Sequence, residues 1–268
     1  MFDTRPTTHQ VLKAPFGYPG GKQRFAEKIA SHLPNRRMYV EPFGGAASVL
    51  LAKPPSELEV VNDKYGGVID FYRCLQDPKM VDALAETLDL LPTGKEMFLY
   101  CQEMWCTSTD PVKRAAFWFY MATQSFGGIQ RNWGRILKPA RPLARKIHDR
   151  FTDFWKIHQR IKDVQFDNCD WHDCLLSYDS SETVFYMDPP YLDCYKGTYK
   201  NELSPAEHLR LLECIFKLDG FVAISGYTCK AYEVFPWDER HTWESRVSVN
   251  GDDESVRDYG QEVLWIKY

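Results

Sequence analysis

The chain has 268 residues, 26% of them charged, and carries a formal net charge of −4 at pH 7. This length can bury a large core, as one domain or as a domain with an insertion, and the negative charge argues against a generally basic protein that coats nucleic acids. No run of 18 apolar residues predicts a membrane span, and the polar first ten residues lack a signal-peptide core, so a cytoplasmic protein is expected. The eight cysteines form no Cys-x-x-Cys pair, so no zinc site is predicted.

The first feature in chain order is a turn-rich loop over residues 16–22, which leads into a helix predicted over about 23–32. Glycines in this loop allow a ligand to approach the backbone closely. Lys22, at the start of the helix, is suited to hold a carboxylate or a phosphate. The spacing differs from that of an ATPase phosphate loop, so ATP is not predicted.

Residues 38–53 are predicted to form a strand, a glycine turn and a helix. This is the pattern of the first βα turn of a doubly wound sheet, where a nucleotide-like cofactor approaches the backbone at Gly44 and Gly45. A second strand at 58–61 leads to Asp63, about twenty residues after the glycine turn, and an acid there suits the two hydroxyls of a ribose. Asp63 is also placed to cap the next helix, and the two roles are compatible.

Helical patterns dominate residues 93–162, which we interpret as an insertion for DNA recognition. A glycine-rich loop over 125–135 holds Gln, Arg, Asn and Trp, the side chains that read base edges or wedge into a base stack. Between 131 and 160, nine Lys and Arg stand against two acids, which favours contact with a polyanion over a merely solvated helix face. The candidate DNA-binding residues are Gln130, Arg131, Asn132, Trp133, Arg135, Lys138, Arg141 and Arg145.

The sheet pattern resumes at 164–166, and Asp170 follows this short strand. Spacing alone leaves two interpretations of Asp170 equal: a plain turn acid, or an acceptor for an adenine amino group. The next strand, 183–187, is rich in β-branched and aromatic residues, and the prolines after it must end it. It therefore delivers Asp188 and Tyr191 to the carboxyl edge, where open α/β sheets bind ligands.

The order Asp188-Pro189-Pro190-Tyr191 suggests recognition of an exocyclic amino group. Two prolines remove backbone N–H donors but keep carbonyl acceptors, and the aspartate adds a charged acceptor. The tyrosine offers an aromatic face to a planar base. For such a tetrad alone, an acidic turn with a packed tyrosine is the simpler alternative.

The C-terminal part of the sequence completes an α/β pattern. A capping box at 204–207 opens a helix, and Gly220 is predicted to end it. A buried strand follows at 221–225. The last two predicted strands, 240–249 and 262–268, form an antiparallel pair.

Five segments, taken in order, resemble the Dam-like (D12 class, α-group) DNA adenine-N6 methyltransferases. They are Tyr18-Pro-Gly-Gly-Lys22, Glu41-Pro-Phe-Gly-Gly45, Asn62-Asp63, Asp170-Trp171 and Asp188-Pro-Pro-Tyr191. The resemblance covers most of the chain outside the middle segment, whose position fits the α-group arrangement. Ala47 departs from it, because the family's Phe-x-Gly-x-Gly pattern has glycine there, so cofactor affinity is expected to differ.

The resemblance implies an α/β fold: a Rossmann-like S-adenosylmethionine-dependent methyltransferase sheet formed by residues 10–92 and 163–268, with an inserted, mainly helical target-recognition domain at 93–162. It implies methyl transfer to N6 of an adenine flipped out of double-stranded DNA, without a metal. The implied cofactor contacts are Tyr18, Lys22, Phe43, Gly44, Gly45, Asp63, Asp170 and Asp188. The implied catalytic residues are Asp188, Pro189, Pro190 and Tyr191.

Two alternative functions stay open. The first is methylation of cytosine N4 or of RNA adenine, which present a similar amino group. The second is a degenerate methyltransferase scaffold that binds DNA without catalysing a reaction. The intact Asp188, Tyr191, Lys22 and Asp63 count against the degenerate scaffold. A cognate restriction endonuclease stays open as a partner, and a nucleoid location is expected in a prokaryotic or phage-infected cell.

Overall fold

The computed structural model describes residues 10–125, 128–134, 153–192, 201–246 and 259–268. These residues fall into two compact units, here called the helical unit and the sheet unit. The helical unit takes its described residues from Met1–Leu33, Gly45–Ser56 and Gly66–Val164. The sheet unit takes them from Pro34–Gly44, Glu57–Tyr65 and Gln165–Tyr268. No helix in the described stretches is both long and apolar enough to cross a bilayer.

The helical unit is organised around buried aromatic rings. Its helices are α1 (Ala26–Ala30), α2 (Ser48–Ala52), α3 (Gly66–Gln76), α4 (Pro78–Leu90), α5 (Lys95–Met104), α6 (Pro111–Gln124) and α7 (153–161). Phe71 of α3 stacks on Phe119 of α6 at a centroid distance of 4.9 Å. Phe154 of α7 meets the Phe119 ring edge-to-face at 5.5 Å. These contacts join helices that are distant in sequence into one core.

The sheet unit holds a seven-stranded sheet with the order β3-β2-β1-β4-β5-β7-β6. The strands are β1 (Met38–Glu41), β2 (Leu58–Asn62), β3 (Gln165–Asp167), β4 (Thr183–Met187), β5 (Phe221–Tyr227), β6 (Glu239–Arg246) and β7 (Tyr259–Lys267). The first five are parallel, and β7 runs antiparallel between β5 and β6. The strand order reverses between β1 and β4, which makes their carboxyl ends the topological switch point where such sheets bind ligands.

Three further helices belong to the sheet unit: α8 (Trp171–Tyr178), α9 (Pro205–Ile215) and α10 (Lys230–Glu233). Side chains from α8 and α9 pack with the inward residues of the central strands in one apolar core. The predicted capping box is confirmed, because Ser204 and Glu207 make both reciprocal bonds. The expected α/β, Rossmann-like architecture is likewise confirmed.

Two predicted helix limits are wrong. The helix expected over 23–32 is limited to α1, with turns on either side. Gly220 does not end α9, which stops at Ile215. Instead, Gly220 precedes β5 and donates its N–H to the Asp179 carboxylate at 3.0 Å. A Cβ at position 220 would lie 2.9 Å from the Phe185 ring, so this glycine serves packing and not helix termination.

The predicted insert is helical where the structure describes it. Residues 93–162 contain α5, α6, α7 and the described loop residues between them. Packing groups these elements with α1–α4 in the helical unit. The division into a catalytic part (10–92 and 163–268) and an insert therefore stays a prediction about function.

Candidate functional site

The Asp-Pro-Pro-Tyr tetrad lies directly after β4, at the switch point of the sheet. Asp188 and Pro190 are half-buried, and Pro189 is buried. Tyr191 is 8% exposed, and its hydroxyl donates to the carboxylate of Glu262, itself 3% exposed on β7. The Tyr191 ring also meets the Tyr227 ring edge-to-face, with the centroids 4.7 Å apart. The orientation of this tyrosine is therefore fixed by the sheet.

Burial, aided by nearby negative charges, keeps the two tyrosines near Asp188 protonated. Burial, together with the charges of Asp188 and Glu262, raises the pKa of Tyr191 well above its usual value. Burial and the Asp188 charge likewise raise the pKa of Tyr186, whose hydroxyl lies 2.6 Å from Ser225 Oγ. Neither tyrosine is a base near neutral pH. Both act as fixed hydrogen-bonding groups.

Two further predicted acids lie at the ends of neighbouring strands. Asp63, after β2, is 9% exposed and accepts a bond from the Tyr65 N–H at 2.8 Å. Asp170, after β3, caps α8 by accepting from the His172 N–H and pairs with Lys64 Nζ at 3.0 Å. Although burial opposes the charged form, the His172 and Lys64 bonds lower the pKa of Asp170. Asp170 thus caps α8, whereas Asp63, predicted as a cap, makes its bond in the turn before α3 and does not cap that helix.

Sequence reasoning missed the role of Asn62, a fully buried residue at the end of β2. Its Nδ2 donates to the carbonyls of Pro42 at 3.0 Å and Cys169 at 3.2 Å. Its Oδ1 accepts from the N–H of Cys169 at 2.9 Å. Asn62 therefore ties the turn after β1 to the turn after β3. The sequence did hold a signal for this role: Asn62 follows the apolar residues of β2 directly, and a buried amide there must find hydrogen-bond partners.

The glycine turn after β1 has little room for side chains. Gly44 donates its N–H to the Asn62 carbonyl at 2.7 Å, and a Cβ at position 44 would lie 2.3 Å from Val61 Cγ1. Phe43 stacks on Trp171, with the ring centroids 6.5 Å apart. Ala47, where the family pattern has glycine, is buried and adopts a left-handed φ of 48°. This backbone conformation favours glycine, which gives the departure a local cost.

Gly44→Ala should destabilise the protein by about 1–3 kcal/mol, because its Cβ must displace Val61 or the backbone of Asn62. Urea unfolding measures the difference. Gly17→Ala is the matched control, since a Cβ there meets nothing within 4 Å. Equal stability of the two variants would contradict the close packing of the glycine turn.

The helical unit carries the other predicted cofactor residues. The N–H of Gly21 donates to the Tyr18 carbonyl at 2.9 Å, which closes the turn before Lys22. Lys22 is 5% exposed, and its Nζ donates to the Gly20 carbonyl. Gly45 has a φ of +47°, and a Cβ there would lie 3.1 Å from the Tyr18 ring. The structure thus places the Tyr18 ring beside Gly45, and their cofactor role stays a prediction.

The predicted DNA-binding residues fall into three groups. Arg131 and Asn132 are exposed on the loop after α6, and Trp133 is half-buried. Gln130 is 2% exposed, so its side chain is not displayed on the surface. Its backbone carbonyl accepts from Gln102 Nε2 at 3.1 Å. The others lie outside the described residues: Arg135, Lys138, Arg141 and Arg145.

Comparison with known proteins gives one family. Residues 18–249 match the family described as D12 class N6 adenine-specific DNA methyltransferases. The chain is similar to proteins named DNA adenine methylase from Salmonella typhi (27% identical), Escherichia coli K12 (26%) and Vibrio cholerae (28%), each over 185 residues. Each alignment covers 65% of this chain and 63% of the relative, so the chain spans under two thirds of the length of these relatives.

Proposed function

This chain belongs to the D12 class of N6 adenine-specific DNA methyltransferases, and from that premise we propose that it methylates adenine N6 in double-stranded DNA. The observation that carries the proposal is the position of Asp188 and Tyr191 at the switch point of the sheet. Acceptors held at that edge suit an amino group that must be oriented for methylation.

We propose S-adenosylmethionine as the methyl donor. The turn after β1 lies at the switch point of the sheet, where doubly wound folds bind nucleotide-like cofactors, and the buried Asp63 carboxylate suits ribose hydroxyls. Tyr18 and Lys22 would contact the methionine portion, with Lys22 paired to its carboxylate. When bound, the cofactor supplies an electrophilic methyl group on its sulfonium.

Asp188 would prepare the amino nitrogen for methylation. Adenine N6 is a poor nucleophile because its lone pair is delocalised into the ring. The Asp188 carboxylate and the Pro189 carbonyl would accept its two N–H bonds and favour a pyramidal nitrogen with the lone pair directed out of the ring plane. N6 would gain the methyl group as the donor's carbon–sulfur bond breaks, which leaves a neutral thioether, and one N6 proton would pass to solvent. The proline pair contributes acceptors without competing donors.

Tyr191 would hold the base beside Asp188. Its hydroxyl bond to Glu262 fixes the ring, so a base can stack on it without ordering a mobile side chain. The target base must leave the duplex to reach this edge, which costs a few kcal/mol, and stacking offsets part of that cost.

Tritium transfer from labelled S-adenosylmethionine, followed by nucleoside analysis, tests the function directly. We expect label in N6-methyl-2′-deoxyadenosine from duplex DNA. Label in N4-methylcytosine, or in RNA, would select the corresponding alternative substrate. No transfer by a folded protein that still binds DNA would indicate an inactive scaffold. The proposed function also allows a cognate restriction endonuclease as a partner.

Asp63→Ala should weaken S-adenosylmethionine binding by roughly 1.5–3 kcal/mol, because charge-assisted bonds to the ribose hydroxyls are lost. Calorimetry measures the change. Asp77→Ala is a matched control: Asp77 Oδ1 accepts from the Lys79 N–H at 2.8 Å, as Asp63 Oδ1 accepts from Tyr65. Asp77→Ala loses the N-cap of α4, worth about 1 kcal/mol of stability, and Asp63→Ala loses a similar carboxylate bond to a backbone N–H in the turn before α3. Unchanged cofactor affinity in folded Asp63→Ala would overturn the ribose assignment.

A further inference from the structure

Three side chains around the end of α6 carry buried polar atoms that have no hydrogen-bond partner among the described residues. Gln124, the last residue of α6, is 1% exposed, and neither its Nε2 nor its Oε1 is bonded. Ser125 Oγ and Trp133 Nε1 are in the same condition. We call these three residues the unpaired polar cluster. Folded proteins pair the large majority of buried polar atoms, so four such atoms together require an explanation.

The backbone brings the three residues together at the base of one loop. Ser125 and Trp133 form an antiparallel bridge. The Gly134 N–H donates to the Gln124 carbonyl at 2.8 Å. The cluster therefore lies at the root of the loop that displays Arg131 and Asn132 to solvent.

The same loop packs against the glycine-rich loop over residues 16–22. Gly128 has a φ of +75°, and a Cβ there would lie 2.8 Å from the Gly17 carbonyl oxygen. Tyr18 follows directly. The unpaired polar cluster is thus part of a loop that touches a segment proposed to bind cofactor.

The donors and acceptors of the cluster indicate its ligand. A glutamine amide offers donors and an acceptor side by side, a serine hydroxyl offers either, and an indole N–H only donates. No member of the cluster is charged. A phosphate offers acceptors alone and would leave Gln124 Oε1 unsatisfied. The edge of a base offers both kinds of group, and adenine N6 and N7 match a glutamine amide with two bonds.

We propose that Gln124, with Ser125 and Trp133, reads a base of the recognition sequence, for which an adenine edge is the best match. This proposal rests on the function proposed above and adds specificity-determining residues to it. The polar atoms are buried in this structure and would bond to the base on the DNA. Exposing them requires the loop to open, which breaks the isolated bridge, the bond from the Gly134 N–H to the Gln124 carbonyl and the bond from Gln102 Nε2 to the Gln130 carbonyl.

Gln124→Met tests the proposal, because it replaces the amide by an apolar chain of similar length. The melting temperature should stay the same or rise, since a buried unsatisfied amide is removed. Methylation of a random duplex library, mapped by sequencing, should show discrimination at one position of the site falling about 5- to 150-fold. The matched control is Gln76→Met. In the wild-type protein the Gln76 amide donates to the Ile161 and Val164 carbonyls at 2.9 and 2.6 Å. That control should lower the melting temperature and keep the sequence preference.

Several results would overturn the proposal. Unchanged sequence preference in Gln124→Met refutes it at any melting temperature. A fall in melting temperature like that of Gln76→Met, with unchanged preference, would assign the amide to folding through a buried water. If Gln124→Met does not fold, Ser125→Ala, which removes only a hydroxyl, carries the same two measurements. Absence of methylation by the wild-type protein would overturn the proposed function as well, whereas an unaltered variant preference refutes this inference alone.

Discussion

Asp188→Ala should lose about 100- to 1000-fold in the rate of methyl transfer while the protein stays folded and binds S-adenosylmethionine. A preorganised group of this kind contributes roughly 2.7–4 kcal/mol to the transition state. The side chain is half-buried at a strand end, so its truncation leaves no large cavity. Most of the proposed cofactor contacts lie on other segments, which is why binding should persist.

Single-turnover methylation of duplex DNA, beside a thermal melt, measures this effect. Asp188→Asn keeps one acceptor oxygen and should fall between wild type and Asp188→Ala. Asp163→Ala removes an exposed carboxylate elsewhere and should change neither measurement. Near-normal turnover by folded Asp188→Ala would refute the mechanism. If Asp188→Ala unfolds, the tetrad is a structural turn.

Tyr191→Ala should lose both stability and activity. Truncating a large buried aromatic residue costs about 3–5 kcal/mol of folding free energy, and loss of base stacking costs a further ~1–3 kcal/mol in DNA binding. Tyr191→Phe keeps the ring and loses only the bond to the buried Glu262 carboxylate. A bond to a charged partner contributes about 1.5–3 kcal/mol to stability. Tyr191→Phe should therefore unfold earlier in urea yet still stack on the base.

Tyr186→Phe is the matched control for that comparison. It also removes a buried hydroxyl, but the partner is the neutral Ser225 at 2.6 Å, so the expected loss is only about 0.5–1.5 kcal/mol. Equal losses in the two Phe variants would show that Glu262 contributes nothing special to the tyrosine. Wild-type DNA affinity in a folded Tyr191→Ala protein would remove Tyr191 from the base pocket.

The sheet and its ligand-binding edge were predictable because local signals specify them. Pro189 and Pro190 end β4 whatever surrounds them, and Asp188 follows the last strand residue by one position. The capping box at Ser204 and Glu207 fixes the start of α9 in the same local way. Each of these signals acts within a few residues, so one sequence is enough to read it.

The partners of the site residues could not be predicted, because they come from distant segments. Tyr191 bonds to Glu262, 71 residues away. Asn62 bonds to Cys169, 107 residues away. The interpretation of Gly220 failed for the same reason, since the Phe185 ring that excludes a side chain there belongs to another strand. Period and propensity carry no information about such pairings.

The pairing of β1 with β4 has a consequence for the newly made chain. Met38 lies opposite Thr183 in the sheet, so the side of β1 that pairs with β4 has no native partner until the ribosome has released residues 183–187. β2 can pair with the other side of β1 early, but β4 can pair only after the whole helical middle segment has been synthesised. Pairings this distant in sequence are slow to form and leave a strand edge open to wrong partners. A cell making this protein therefore has to keep that edge protected until synthesis has passed the Asp-Pro-Pro-Tyr tetrad.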